Sequence, residues 1–390
     1  MSHPPAAGSR SVDWSSLTHS HRAETPAARG GDPGLASDAP GSVTREGIPS
    51  GRAPGIAFIG WNPFQIRHIL DVAQRLENSC ILIEKRADHI FKFEEELLTS
   101  SGVPVVMVSR KRIKQLDGLF DVIVCQTPFS QMESITKSRI AMIQYGYAKA
   151  GHNYGDWRAS ASLCMVYGEY AARQIRPMCP VLVTGNPAFD KWHDPAFHDA
   201  AKMRYGPSLD PSRKTILYAP TWGDLSTCEL YLDEVVSLTD EYNVILKLHH
   251  NTDLLEKDKR GRMKASAPIS FGANASLLEL MAVSDVVLSD YSGAIFDALY
   301  CKRPVILLQD QTEKRVGEKL NLESLEYAAR HQIGPVLEKP GTLRQTISGL
   351  FGGGLDFSNS NRELTGDLYL SGPGAAERVA NALTALALRK

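Results

Sequence analysis

The sequence predicts an α/β protein made of two Rossmann-like halves with parallel sheets, and three observations carry that reading. Short, nearly continuous apolar runs of strand length begin at Ile56 and alternate with amphipathic stretches as far as Leu308. Strands of that texture are buried on both faces, as parallel strands covered by helices are. The series occurs twice, and a polar stretch, 190–213, marked by Pro195, Pro207 and Pro211, lies between the two. At 390 residues the chain has room for two ordinary cores.

Residues 1–54 are rich in Ser, Ala, Gly and Pro and poor in large aliphatic side chains, so they are expected to be disordered. Asp13, Glu24, Asp32, Asp38 and Glu46 are too many acids for a transit peptide. A first domain is predicted over 55–189. It opens with a buried strand at 56–60 and a helix at 66–76, where Ile66, Ile69, Leu70, Ala73 and Leu76 recur at helical spacing. Its further strands are predicted at 80–84, 103–108, 121–125, 140–144, 163–167 and 181–184. The 190–213 stretch is read as the interdomain connection. A second domain, 214–374, follows, with strands at 216–219, 244–248, 269–271, 286–289 and 305–308. Helices fit at 230–239, 275–281 and 293–300, and 375–390 supplies a last amphipathic helix (375–388) expected to pack back on the first lobe.

Composition narrows the function classes. The apolar (43%) and charged (22%) fractions are those of a soluble globular protein. A formal charge of −1 argues against a nucleic-acid partner, which would call for a basic excess. The six cysteines form no C-x-x-C pair and mostly sit in apolar runs, as buried reduced thiols of a cytoplasmic protein do. No run reaches the ~18 apolar residues of a membrane span. The expected location is the cytoplasm, or a peripheral position at the inner face of the cell membrane.

The first strand–helix turn, Gly60-Trp61-Asn62-Pro63-Phe64, lacks G-x-G-x-x-G, and no Walker loop occurs, so no dinucleotide cofactor is expected. The candidate chemistry lies instead where predicted strands end. Ser289-Asp290-Tyr291-Ser292-Gly293 opens a helix, which makes Asp290, Ser292 and Gly293 either a phosphate site or an ordinary N-cap. Lys247 and His249 leave another strand on one side, suited to a diphosphate or simply to a surface. Adjacent His249 and His250 without further ligands are a poor zinc site. Pro220 and Thr221 follow the first strand of the second half, where loop amides could meet a phosphate or Trp222 could merely pack. In the first half, the loop 144–154 carries His152, a candidate general base or a histidine satisfied within its loop. The basic stretch 257–264 reads as a solvated loop, or as a patch for anionic lipid or a phosphate-bearing acceptor.

In order, "ILYAPTWGD", "VILKLHHNT" and "SDVVLSDYSGAIFDALYCKRPVILL" resemble the CDP-glycerol glycerophosphotransferase family, the teichoic-acid primases and polymerases and their capsule-cluster relatives. "VLVTGNPAFDKW" looks like that family's entry into its second domain. The likeness covers roughly 120–310 and is strongest over 215–308. It implies a GT-B fold, with two Rossmann-like domains facing a central cleft. It also implies transfer of an alditol phosphate from a CDP-linked donor to a hydroxyl, without a metal or bound cofactor. The acceptor would be polyprenyl-linked or a polysaccharide. The family's second-domain histidine falls on His249, its Asp-Tyr-Ser-Ser on Asp290, Tyr291, Ser292 and Gly293, and its helix acid on Asp297. The family commonly shows His-Gly after the first-domain strand, where this chain has Tyr145-Gly146, so the base role is expected of His152. The departure keeps a second reading open, a GT-B glycosyltransferase using a nucleotide sugar, and a third, a degenerate scaffold.

Overall fold

The computed structural model describes residues 55–86, 93, 97, 99, 101–310 and 321–389; the segment 1–54, expected to be disordered, lies outside them. Apolar runs become strands wherever they appear as such in the sequence. The first sheet contains β1 (Ile56–Gly60), β2 (Ser79–Lys85), β3 (Val105–Ser109), β4 (Val122–Cys125), β5 (Arg139–Ile143), β6 (Leu163–Val166) and β7 (Val181–Val183). Its strand order is β3-β2-β1-β4-β5-β6-β7. The second sheet contains β8 (Thr215–Tyr218), β9 (Asn243–Lys247), β10 (Ile269–Phe271), β11 (Val286–Ser289), β12 (Val305–Leu308) and β13 (Val336–Leu337), in the order β10-β9-β8-β11-β12-β13. All five pairings of this second sheet are parallel. β1, β8, β9, β11 and β12 are buried along their whole length, as strands covered on both faces must be.

Capping sets where helices begin. The Pro63–Ala73 helix starts at Asn62, whose Oδ1 accepts from the Gln65 amide at 2.9 Å, with Pro63 in the first turn. Apolar spacing alone places that start later, because Ile66 is the first aliphatic residue of the buried stripe. The 190–213 stretch is more ordered than its polarity suggests. Asp194 caps a Pro195–Tyr205 helix, accepting from the Ala196 amide at 2.9 Å, so Pro195 begins an element rather than interrupting one. Arg204 and Tyr205 at its far end both bond Glu279, at 2.9 and 3.1 Å.

The basic stretch is also corrected: it forms a helix, Lys257–Ser266, not a loop. Lys259 pairs with Glu256 (2.8 Å), Lys264 with Asp253 (3.0 Å) and Arg262 with Asp233 (3.5 Å). All six cysteines are free and buried. No helix among the described residues is long and apolar enough to cross a membrane.

The described residues form two compact units, one of those up to Ala141 together with those from Ala380 on, the other of those within Met142–Val379. Within the second unit an aromatic cluster fastens the segment after β5. Tyr147 meets Tyr167 at 5.9 Å, Phe296 at 5.7 Å and Tyr369 at 5.3 Å between ring centroids. Its hydroxyl also donates to the Leu368 carbonyl.

Candidate active site

In the second sheet, chain order runs outward in both directions from the β8/β11 pair, so the sheet reverses there. Open α/β sheets hold ligands beyond the carboxyl ends of the strands flanking such a reversal. The loops leaving β9, β8 and β11 emerge side by side at that edge, and they carry Lys247 to His250, Pro220 to Gly223 and Asp290 to Gly293.

Asp290 ties two of these loops together. It is wholly buried; Oδ1 accepts from the Thr221 amide at 2.8 Å and Oδ2 from the Thr227 amide at 3.0 Å. Burial raises its pKa against those two amides and the nearby Arg330, which pull it down. Both oxygens are thus spent inside the protein, and Asp290 serves to fix the Thr221 loop. Arg330 completes the clasp from behind, donating to the Asp290 carbonyl at 3.0 Å and the Leu308 carbonyl at 2.9 Å. Ser292 precedes the N-cap, Gly293, and its Oγ accepts from the Ala294 amide at 3.3 Å. Gly293 follows it, and a Cβ there would meet only Ala148, at 3.9 Å.

The β9 end supplies the imidazoles. His249 caps the His250–Leu255 helix, its Nδ1 accepting from the Asn251 amide at 3.1 Å. That bond places the proton of the neutral ring on Nε2. Burial, His250, Lys149 and Lys247 hold His249 well below the ordinary histidine value. Burial with Lys247 and Lys149 brings His250 to about 4. Both rings are therefore neutral near pH 7. Trp222 stacks over His249 at 6.1 Å, and His249 lies 4.1 Å from His250. The Trp222 loop is anchored by Glu256, which accepts from the Gly223 amide at 3.3 Å and from Thr252 and Lys259 at 2.8 Å each. Pro220 and Thr221 are buried in the same corner, and Lys247 donates to the Leu248 carbonyl at 2.8 Å.

The segment after β5 reaches this site. Lys149 places its ammonium 5.5 Å from the Trp222 ring centroid. His152 is exposed on the short Ala150–Asn153 helix, lowered in pKa by partial burial and by Lys149 and Arg158. Among the described residues its side chain makes no hydrogen bond or ring contact with His249 or Ser292, so Lys149, not His152, is the side chain that joins the β8 loop. Sequence reading passed over Lys149 because a lysine in a Gly-rich loop has no distinguishing pattern. Tyr145 is pushed up to about 12 by burial and by Asp297, which keeps it protonated and unable to act as a base. Asp297, one turn after Gly293, is itself raised to about 7 by burial. Among the described residues no group of three or more His, Cys, Asp or Glu is placed to hold a metal ion.

Fold and site together define a GT-B-like α/β protein with lysines and imidazoles gathered where the second sheet reverses. Residues 170–341 match the family described as CDP-Glycerol:Poly(glycerophosphate) glycerophosphotransferase. Over that segment, less than half of its length, the chain is similar to the CDP-glycerol glycerophosphotransferase family. It is 30% identical over 115 residues to the teichoic acid poly(glycerol phosphate) polymerase of Bacillus spizizenii, a match covering 27% of this chain and 28% of that protein. To the teichoic acid glycerol-phosphate transferase of Staphylococcus aureus it is 25% identical over 185 residues, covering 42% of this chain and 43% of the relative. These matches span less than half the length of either relative. In fold it is similar to the wall teichoic acid polymerase TagF, with a TM-score of 0.57 at 16% identity, covering 86% of this chain and 88% of that one. UDP-GlcNAc 2-epimerase from Neisseria meningitidis is similar to the same degree, with a TM-score of 0.58 at 13% identity, covering 84% and 99%.

Proposed function

We propose that the protein transfers an alditol phosphate, glycerol phosphate or a close analogue, from a CDP-activated donor to a hydroxyl acceptor in the synthesis of a teichoic-acid- or capsule-like surface polymer. One observation supports the reading: the family match spans Pro220, Thr221, Lys247, His249, Asp290, Ser292 and Gly293, on loops that leave neighbouring strands of one sheet, and Asp297 in the helix that follows. A TagF structure similar in fold was soaked with CDPG. The acceptor oxygen attacks the phosphorus that bears the alditol, the bond from that phosphorus to CMP breaks, and CMP departs with the electron pair. The neutral His249 donates from Nε2 to a phosphoryl oxygen, and Lys247 offsets the charge that develops there. His152 takes the acceptor's proton, as a near-neutral imidazole can. The acceptor is polyprenyl-linked or a polysaccharide, met in the cytoplasm or at the inner face of the membrane.

The test is CMP release from CDP-glycerol and CDP-ribitol with such acceptors present, alongside a thermal-shift panel of CMP, CDP, UMP and UDP. Cytidine preference with CMP release is expected, and His249→Ala should slow turnover about a hundred- to thousandfold. A protein that neither binds nor releases CMP sinks the proposal. Tyr145, where the resemblance leads one to expect histidine, favours a second reading, a glycosyltransferase attacking an anomeric carbon; clear preference for uridine nucleotides would select it. If His249→Ala leaves the cellular phenotype intact, the chain acts as a scaffold.

A further inference from the structure

We infer that Lys149 is a phosphate-binding residue of the donor site, presented by a loop that the protein holds in an unfavourable backbone conformation for that purpose. The inference rests on the reading above that the site takes a CDP-linked donor, and it names the cation that meets the transferred phosphoryl group.

Lys149 has φ 65°, in the left-handed region that a long side chain adopts only under constraint. Four contacts supply the constraint. The wholly buried Glu326 accepts from the Lys149 amide at 2.7 Å. Asn153 donates to the Ala148 carbonyl at 2.5 Å. The Lys149 carbonyl accepts from the His152 and Asn153 amides, at 2.9 and 3.1 Å. Before the turn, Gln144 bonds the Gly146 carbonyl at 3.0 Å and the Tyr167 amide at 2.9 Å, and Tyr147 is locked into its aromatic cluster. A strained residue kept by so many independent contacts marks a place where side-chain position matters more than backbone comfort.

That position is over the indole of Trp222, at 5.5 Å, within cation–π range. The same indole stacks on His249 at 6.1 Å. Ala148, the preceding residue, lies against Gly293 at the opening of the next loop. Lys149 thus stands among the β8, β9 and β11 loop residues. An ammonium with three donors, beside two uncharged imidazoles, suits a phosphoryl group whose charge grows as CMP leaves. Lys149 also lowers the pKa of both His249 and His250, as a cation standing close to them does.

Three variants of the full chain test this: Lys149→Gly, Lys149→Met and Lys149→Arg. Glycine suits a φ of 65°, so Lys149→Gly should melt at or above the wild-type temperature. It should nevertheless lose at least ~100-fold in kcat with CDP-glycerol, while CMP affinity stays within about threefold. Lys149→Met should lose activity similarly, and Lys149→Arg should recover at least about a tenth of it, because charge is what the site needs. If the wild type releases CMP and Lys149→Gly does so within about threefold of it, this inference is overturned while the donor reading survives. If the wild type itself neither binds nor releases CMP, the donor reading fails and takes the inference with it.

Discussion

Asp297 shows how far one side chain's surroundings can move its chemistry. Burial lifts its carboxyl from the usual range to about 7. The sign of the consequence follows from linkage. Below about pH 4 the group is neutral in both folded and unfolded chains. Between about 4 and 7 the unfolded chain loses this proton while the folded one keeps it, so stability falls as pH rises. Above about 7 both are ionised and the penalty stays constant. Asp297→Asn should therefore match the wild type near pH 4 and exceed it at pH 8 by on the order of 2 kcal/mol, read from urea midpoints. An unchanged difference between the two pH values would mean that the carboxyl is better solvated than its surroundings indicate. Sequence could place Asp297 near a helix start but not say that it faces Tyr145 and the tyrosine cluster, which its charge reaches. His249 was legible because it ends a strand. Its tautomer was not, since that depends on how the backbone brings the Asn251 amide, two residues on, to Nδ1. Asp290 was legible as a polar residue at a loop and illegible as a clasp, because its partners Thr221 and Thr227 lie 69 and 63 residues away along the chain.

Elements were easiest to read where burial is complete. The bounds expected for β1, β11 and β12, and for the Ala375–Leu388 helix, coincide with those observed, because unbroken apolar runs and a sustained amphipathic period leave little choice. β13 gave no signal, since Val336–Leu337 is too short to show alternation. Its position depends on Gly334, whose extended φ of 179° suits any residue but whose surroundings suit none with a side chain. A Cβ there would stand 2.0 Å from the Val305 carbonyl oxygen, a backbone atom that cannot swing aside. Gly334→Ala must push β13 from β12, where the Leu307 amide bonds the Pro335 carbonyl at 2.9 Å. It should also disturb Arg330, whose carbonyl accepts from the Gly334 amide at 3.3 Å and whose guanidinium backs Asp290. A loss of about 2–4 kcal/mol is expected, with weakened CMP binding. Unfolding midpoints and nucleotide titration check both, and wild-type values in each would show that β13 has slack.

At the scale of the molecule, the two-sheet α/β plan was visible in the repeated strand–helix texture. The grouping of the chain into units depends on contacts between residues far apart in sequence, which no local pattern encodes. The tail is the clearest case. Its helical period was plain, and its described residues from Ala380 on group with a unit that ends at Ala141, more than two hundred residues upstream. Arg139 illustrates the link, donating from its guanidinium to the Arg389 carbonyl. Ala380, Leu383, Leu386 and Ala387 are all buried. Two leucines taken from water contribute about 3–6 kcal/mol before entropy is set against them, a large share of what holds one unit folded. A chain ending at Val379 keeps Ala375, Ala376 and Val379, which are buried in the second unit, and loses only what serves the first. Calorimetry of that truncation should show an unfolding step at lower temperature, assignable to the first unit by proteolysis within 55–141. CMP affinity should persist, because Thr221, His249, Ser292 and Lys149 all belong to Met142–Val379. Were the melting profile unchanged, the terminal turns would be dispensable to the first unit's core; were CMP affinity lost as well, the donor site would draw on more of the chain than Met142–Val379.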